Sequence, residues 1–223
     1  RLFYCMCQGL TIVLYGLCSH SERGSERMKK YLDLLRVKHY LKNILVFTPI
    51  FFNQTLFTEK FATALIGFFS LCLISSTVYI LNDIQDAPKD RLHPTKRFRP
   101  IAEGSINILQ ARVIGGICLF LSLTLSYLAG GVSGLILLLI YFVLNVSYSF
   151  GLKNQPLIDV VILASGFIIR VIYGADLTQI PISGWLYLTI WTGAFYMGLG
   201  KRRNEIARQG STKETRTVLR YYS

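Results

Sequence analysis

Apolar stretches of about 17–21 residues recur along this chain, and the charged residues are confined to short blocks between them. A helix needs about 20 such residues to cross roughly 30 Å of hydrocarbon. The pattern therefore predicts an all-α integral membrane helical bundle. Only 16% of the 223 residues are charged, against about 25% in soluble domains, which excludes an ordinary cytosolic enzyme and a disordered chain. The five cysteines, at 5, 7, 18, 72 and 118, stand at no zinc-ligand spacing and read as small apolar residues rather than ligands or bridges.

Six spans can be drawn, at 42–57, 61–81, 110–129, 132–150, 156–175 and 184–200. The first is the weakest, because Pro49 limits it to a short or kinked helix. The net charge of +12 could mean nucleic acid, but the basic residues flank the spans and orient them instead. No nucleic-acid partner is expected; the partner is the bilayer. If the N-terminal side is cytoplasmic, the blocks 28–41, 82–109, 151–155 and the tail from 201 carry nearly all the Lys and Arg. The opposite side, at 53–60, 130–131 and 176–183, carries only Lys60. This alternation puts the polar chemistry on the cytoplasmic face. Met28 opens a basic amphipathic stretch, so residues 1–27 are expected to be a non-native or mispredicted extension and 28–223 the membrane domain.

The second span ends in Asn82-Asp83-Ile84-Gln85-Asp86-Ala87-Pro88-Lys89-Asp90. On a helix the three aspartates fall within about 60° of one another, and they repel unless something positive sits among them. Hard carboxylate oxygens with few other ligands suit Mg²⁺ shared with a substrate diphosphate. The basic residues that follow, Arg91, Lys96, Arg97 and Arg99, suit the remaining phosphate oxygens. Pro88 is expected to bend the carboxylate stripe, with Asp86 capping a new turn.

The Asn82–Asp90 pattern followed by the basic Arg-Pro segment resembles the first aspartate motif of the UbiA superfamily of intramembrane prenyltransferases. The segments LLRVKHYLKNILVF, DRLHPTKRFRPIA, YSFGLKNQPLIDV, GFIIRVIYGA and LGKRRNE are similar to the superfamily's decaprenyl-phosphate phosphoribosyltransferase branch. The resemblance implies transfer of a phosphoribosyl group from phosphoribosyl pyrophosphate (PRPP) to a polyprenyl phosphate in a bacterial plasma (inner) membrane. It also implies six spans present of an expected nine, with the membrane domain truncated at its C-terminus, around a cytoplasm-facing polar pocket.

Asp159 lies at the cytoplasmic end of the fifth span, where the resembled family has its second acidic motif. The resemblance makes Asp159 a metal-site residue with Asn82, Asp83, Asp86 and Asp90, and places the diphosphate on Mg²⁺ between the four aspartates, which are the expected catalytic residues. Tyr148 and Lys153, in the segment just before it, become substrate contacts. Arg170 shares a helix face with Asp159 about 17 Å away; it reads either as a substrate contact or as one half of a structural ion pair. Arg36, Lys38, Lys42 and Asn43 flank the first span and either anchor to anionic lipid or capture a lipid phosphate. Lys201 and Arg202, closing the sixth span, suit a positive-inside anchor as well as a phosphate clamp. Two rivals stand beside this reading. One is a prenyltransferase moving a prenyl group from its diphosphate to an aromatic or lipid acceptor; the other is a transporter bundle, which would distribute paired charges along several spans.

Overall fold

The computed structural model describes residues 22–152, 155 and 158–209. Residues 1–21 of the expected extension, and Lys153, lie outside the described residues. Those described form helices and no strands. In chain order they are α1 (Glu22–Leu35), a 3₁₀ segment (Val37–Phe47), α2 (Thr48–Phe52), α3 (Glu59–Asp90), a 3₁₀ turn (Lys96–Phe98), α4 (Pro100–Glu103), α5 (Ile108–Phe150), α6 (Ile158–Thr178) and α7 (Gly184–Gln209). Helix α1 runs unbroken across Met28.

By length and composition α3, α5 and α6 can cross a membrane. Helix α5 is two such runs, broken at Gly131, whose φ of 59° and ψ of −144° lie outside the helical region. Only glycine takes that conformation readily, so the expected hairpin link at 130–131 is a single residue. The expected spans at 61–81, 110–129 and 132–150 fall inside these helices, as do the described residues of 156–175. The expected span at 42–57 is not a continuous helix. The chain runs there as a 3₁₀ segment, restarts at Pro49 as the five-residue α2, and turns at Asn53, because proline suits a first helical turn and not an interior. Residues 184–200 are helical within α7, but its aromatic and glycine content leaves it outside the three long apolar helices.

The described residues form two compact units, the first from 22–43 with 72–122, the second from 44–71 with the described residues of 123–209. In the first, Leu34 of α1, Ile80 and Ala87 of α3, Ile101 of α4, Ile106 of the link that follows it and Ala111 of α5 make one buried cluster. Ile80, Ile84 and Ala87 follow helical spacing, so this apolar face lies beside the face that carries Asp83 and Asp90. Burial of that face fixes the rotation of α3 and hence where the carboxylates point.

In the second unit Phe47 stacks on Phe61 and Phe68, with centroids 5.7 and 5.6 Å apart. Helix α6 packs against α2 and α7. A Cβ on Gly174 would collide with the Val46 backbone carbonyl, so glycine there lets α6 lie directly on the end of the 3₁₀ segment. The Tyr173 hydroxyl donates to Ser126 Oγ at 2.8 Å, and Ser133 Oγ donates to Asp176 at 2.8 Å.

Candidate functional site

Helix α3 continues through Pro88 to Asp90, which corrects the expected bend. Proline so near the end forfeits a single interior bond, at a position where the helix is about to stop. Asp86 caps no new turn; its Oδ2 accepts from Asn82 Nδ2 at 3.2 Å. Asp83 and Asp90 are buried, at 3% and 4% exposure. One guanidinium nitrogen, Arg99 Nη1, reaches Asp83 Oδ1 at 3.0 Å and Asp90 Oδ2 at 2.6 Å. Arg36 Nη2 reaches the same Asp83 oxygen at 2.5 Å. The positive charge that the acidic stripe requires thus comes from two arginines.

Local sequence explains both. Arg99 precedes Pro100, which disfavours the helical region for it; at φ −66° and ψ 141° it enters α4 extended, and its side chain turns back to α3. Arg36 separates α1 from the 3₁₀ segment at a φ of +52°, a strained region for a residue with a Cβ. Its guanidinium carbon also lies 4.8 Å from the centroid of the Tyr79 ring.

Beyond Arg36 the segment runs along α3 in one register. His39 meets the Tyr79 ring at 5.2 Å, the Tyr40 hydroxyl pairs with Ser76 Oγ at 2.7 Å, and Asn43 Nδ2 donates to Cys72 Sγ at 3.4 Å. Burial pushes the Tyr40 hydroxyl up to about 12, so it stays protonated and available as a donor.

Of the other expected contacts in this unit, Arg91, Lys96, Arg97, Lys38 and Lys42 are exposed, and Arg97 lies over the Phe98 ring at 4.8 Å. Asn43 is buried against Cys72, eleven residues along α3 from Asp83, or about 16 Å, so it does not join the carboxylates. His93 Nδ1 accepts from the backbone N–H groups of Thr95 and Lys96 and shapes the turn.

In the second unit Asp159, fully buried in the first turn of α6, meets Arg202 of α7, with Oδ2 and Nε 2.5 Å apart. Arg202 also donates to the Tyr148 hydroxyl at 3.2 Å. The structure thus joins three expected site residues, Tyr148, Asp159 and Arg202. Arg170 stands apart from them: its guanidinium donates to the Gly166 carbonyl at 2.6 Å and the Tyr141 hydroxyl at 2.7 Å, over the Tyr141 ring. The ion-pair partner of Asp159 is thus Arg202, from the next helix. Of Lys201 only the helical backbone is described.

Three carboxylates and the Asn82 amide oxygen on one helix are hard donors that suit Mg²⁺. Among the described residues no three His, Cys, Asp or Glu side chains close around a metal position, so a cation here would complete its shell with water and the oxygens of a bound ligand. That is the usual way Mg²⁺ is held with phosphates. Arg36 and Arg99 suit the same ligand, since guanidinium groups bond phosphate oxygens in pairs.

The UbiA prenyltransferase family model matches residues 46–210. The decaprenyl-phosphate phosphoribosyltransferase of Mycolicibacterium smegmatis is 34% identical over 184 residues, 78% of this chain and 56% of that protein. Its namesake in Corynebacterium glutamicum is 37% identical over 183 residues, 78% of this chain and 54% of that one. The chain spans about half the length of these relatives. Among solved structures, a digeranylgeranylglyceryl phosphate synthase superposes with a TM-score of 0.69 at 20% identity, covering 88% of this chain and 70% of that one. A UbiA homologue from Archaeoglobus fulgidus, bound to DMAPP and Mg²⁺, superposes at 0.67 and 21% identity, over 77% and 62%. These two likenesses bear on the fold.

Proposed function

Since the chain belongs to the UbiA prenyltransferase family, we propose that it is, or is part of, an integral membrane transferase that moves the 5-phosphoribosyl group of PRPP to a polyprenyl phosphate and releases diphosphate. The observation that carries the reading is the buried cluster of Asp83 and Asp90 with Arg36 and Arg99. The names of the mycobacterial and corynebacterial relatives support the substrates. The surplus of basic residues on one set of loops supports a cytoplasmic site in a bacterial plasma membrane.

Asn82, Asp83, Asp86 and Asp90 would hold Mg²⁺, and Asp159 is assigned a ligand role of the same kind. Held by these residues with the diphosphate, a cation would supply charge neutralisation at the leaving group. The chain's own part is position and charge. Arg36 and Arg99 hold Asp83 in place and present N–H donors to phosphate oxygens. Exposed Arg91, Lys96 and Arg97 receive the ribose 5-phosphate or the departing diphosphate. Tyr148 and Arg202 orient Asp159. The acceptor phosphate is already anionic, so no side chain has to remove a proton from it.

The test is Asp83→Asn in the full-length protein, which removes a charge and a hard ligand at nearly constant volume. Phosphoribosyl transfer from PRPP to polyprenyl phosphate should fall at least about 10²-fold, on the scale of lost electrostatic stabilisation, with membrane expression unchanged. Asp33→Asn, at an exposed position outside the cluster, should do little. Full activity in Asp83→Asn sinks the reading. Turnover of a prenyl diphosphate with an aromatic acid, in place of PRPP, would transfer it to the rival chemistry.

A further inference from the structure

Cys72, Ser76, Tyr79, Asp83, Asp86 and Asp90 are spaced four, three, four, three and four apart on α3. They therefore form one stripe, within about 80° of one another. The facing segment answers this stripe position by position: Arg36 with Asp83, Arg36 and His39 with Tyr79, Tyr40 with Ser76, Asn43 with Cys72. These contacts are hydrogen bonds, ring faces and an ion pair.

The 3₁₀ geometry explains how the register holds. From 36 to 43 a 3₁₀ helix rises about 14 Å, close to the about 16 Å of α3 between Asp83 and Cys72. An α-helix over the same seven steps would rise about 10 Å and lose the pairing at one end. In a 3₁₀ helix residues three apart eclipse, which sets Tyr40 and Asn43 in one column, while His39 and Arg36, just before the segment, both reach Tyr79. A 3₁₀ run of eleven residues is unusually long, since runs beyond three or four are uncommon. It begins right after a strained Arg36. The cost of both is met along the stripe.

We propose that Tyr79 is a positioning residue that acts through Arg36. Its ring holds the guanidinium at the angle from which it serves both Asp83 and an incoming phosphate, while the Tyr40–Ser76 and Asn43–Cys72 pairs keep the segment in register behind it. The proposal rests on the diphosphate reading of the Asp83 cluster. What Tyr79 offers Arg36 is a ring face, so the chemistry required at 79 is an aromatic surface under a cation.

The experiment is a double-mutant cycle on the full chain in lipid nanodiscs, with inorganic pyrophosphate titrated calorimetrically in the presence and absence of Mg²⁺. Tyr79→Leu should weaken Mg²⁺-dependent binding about 3- to 10-fold, the range of a partly buried cation–ring contact, and Tyr79→Phe by less than about 2-fold. In an Arg36→Ala background, Tyr79→Leu should cause no further loss, because its effect runs through the missing guanidinium. Tyr79→Met serves as the ringless variant if the leucine protein does not fold. Equal losses in both backgrounds, or a phenylalanine variant as weak as the leucine one, overturn the proposal and leave the diphosphate reading standing. If the parent chain shows no Mg²⁺-dependent pyrophosphate binding, the reading falls and the proposal with it.

Discussion

Arg99 serves two buried carboxylates from a single nitrogen, so its removal strands Asp90 while Asp83 keeps Arg36. Arg99→Ala should lower stability by about 1–3 kcal/mol, the cost of a buried acceptor without its donor, read as a fall in thermal midpoint in detergent. Adding Asp90→Asn should recover part of that loss, because the stranded charge is gone. The acids of this cluster were legible in the sequence, because helix geometry alone puts positions 83, 86 and 90 on one side. The identity of their counter-charges was only half legible. Arg99 stands nine residues from Asp90 in a basic run, whereas Arg36 is 47 residues from Asp83. Nothing in local spacing links a residue at the mouth of the first expected span to the end of the second. Asp159 and Arg202 show the same limit. Periodicity put Arg170 on the same face as Asp159 but named no partner for the acid; its pairing with Arg202 was decided by packing of α6 on α7, which no repeat encodes.

Among the elements, the long helices were readable because length and apolarity suffice to define them; at 42–57 Pro49 announced the short, broken helix, but not the 3₁₀ form of what precedes it. The segment's composition suits a span, but the polar side chains of 36–43 find partners along α3, and Pro49 resets the helix. The continuation of α3 through Pro88 also depended on what lies around it, since Arg99 ties positions 83 and 90 together across the proline. Two glycines give element-scale tests. At Gly131 a Cβ would meet nothing within 4 Å, so the cost of Gly131→Ala is purely one of backbone conformation and should be about 1–3 kcal/mol. Gly116→Ala, in helix and equally open, should be neutral or stabilise by up to about 1 kcal/mol. Comparable melting of the two variants would contradict the break at 131. Gly174→Ala is opposed by a carbonyl that cannot rotate away, and should cost about 1–3 kcal/mol through overpacking of α6 on Val46.

At the scale of the whole molecule, the sidedness inferred from the basic loops is open to a direct test on α7. Ser183, just before α7, and Asn204, in its last two turns, are exposed and stand about 31 Å apart along a helix, close to the thickness of the hydrocarbon core. Single cysteines there, in a background without the native ones, should react with an impermeant maleimide from opposite faces of intact membranes. Reaction from one face only would lay α7 along the surface and remove the sixth span. The pairing of Asp159 with Arg202 has a further consequence, in time rather than space. The acid is synthesised about forty residues before the arginine, and at about 5–20 residues per second the interval is about 2–9 s. A carboxylate cannot occupy an apolar seat alone for that long without a proton or water. The first turn of α6 therefore settles only when the far end of α7 has left the ribosome.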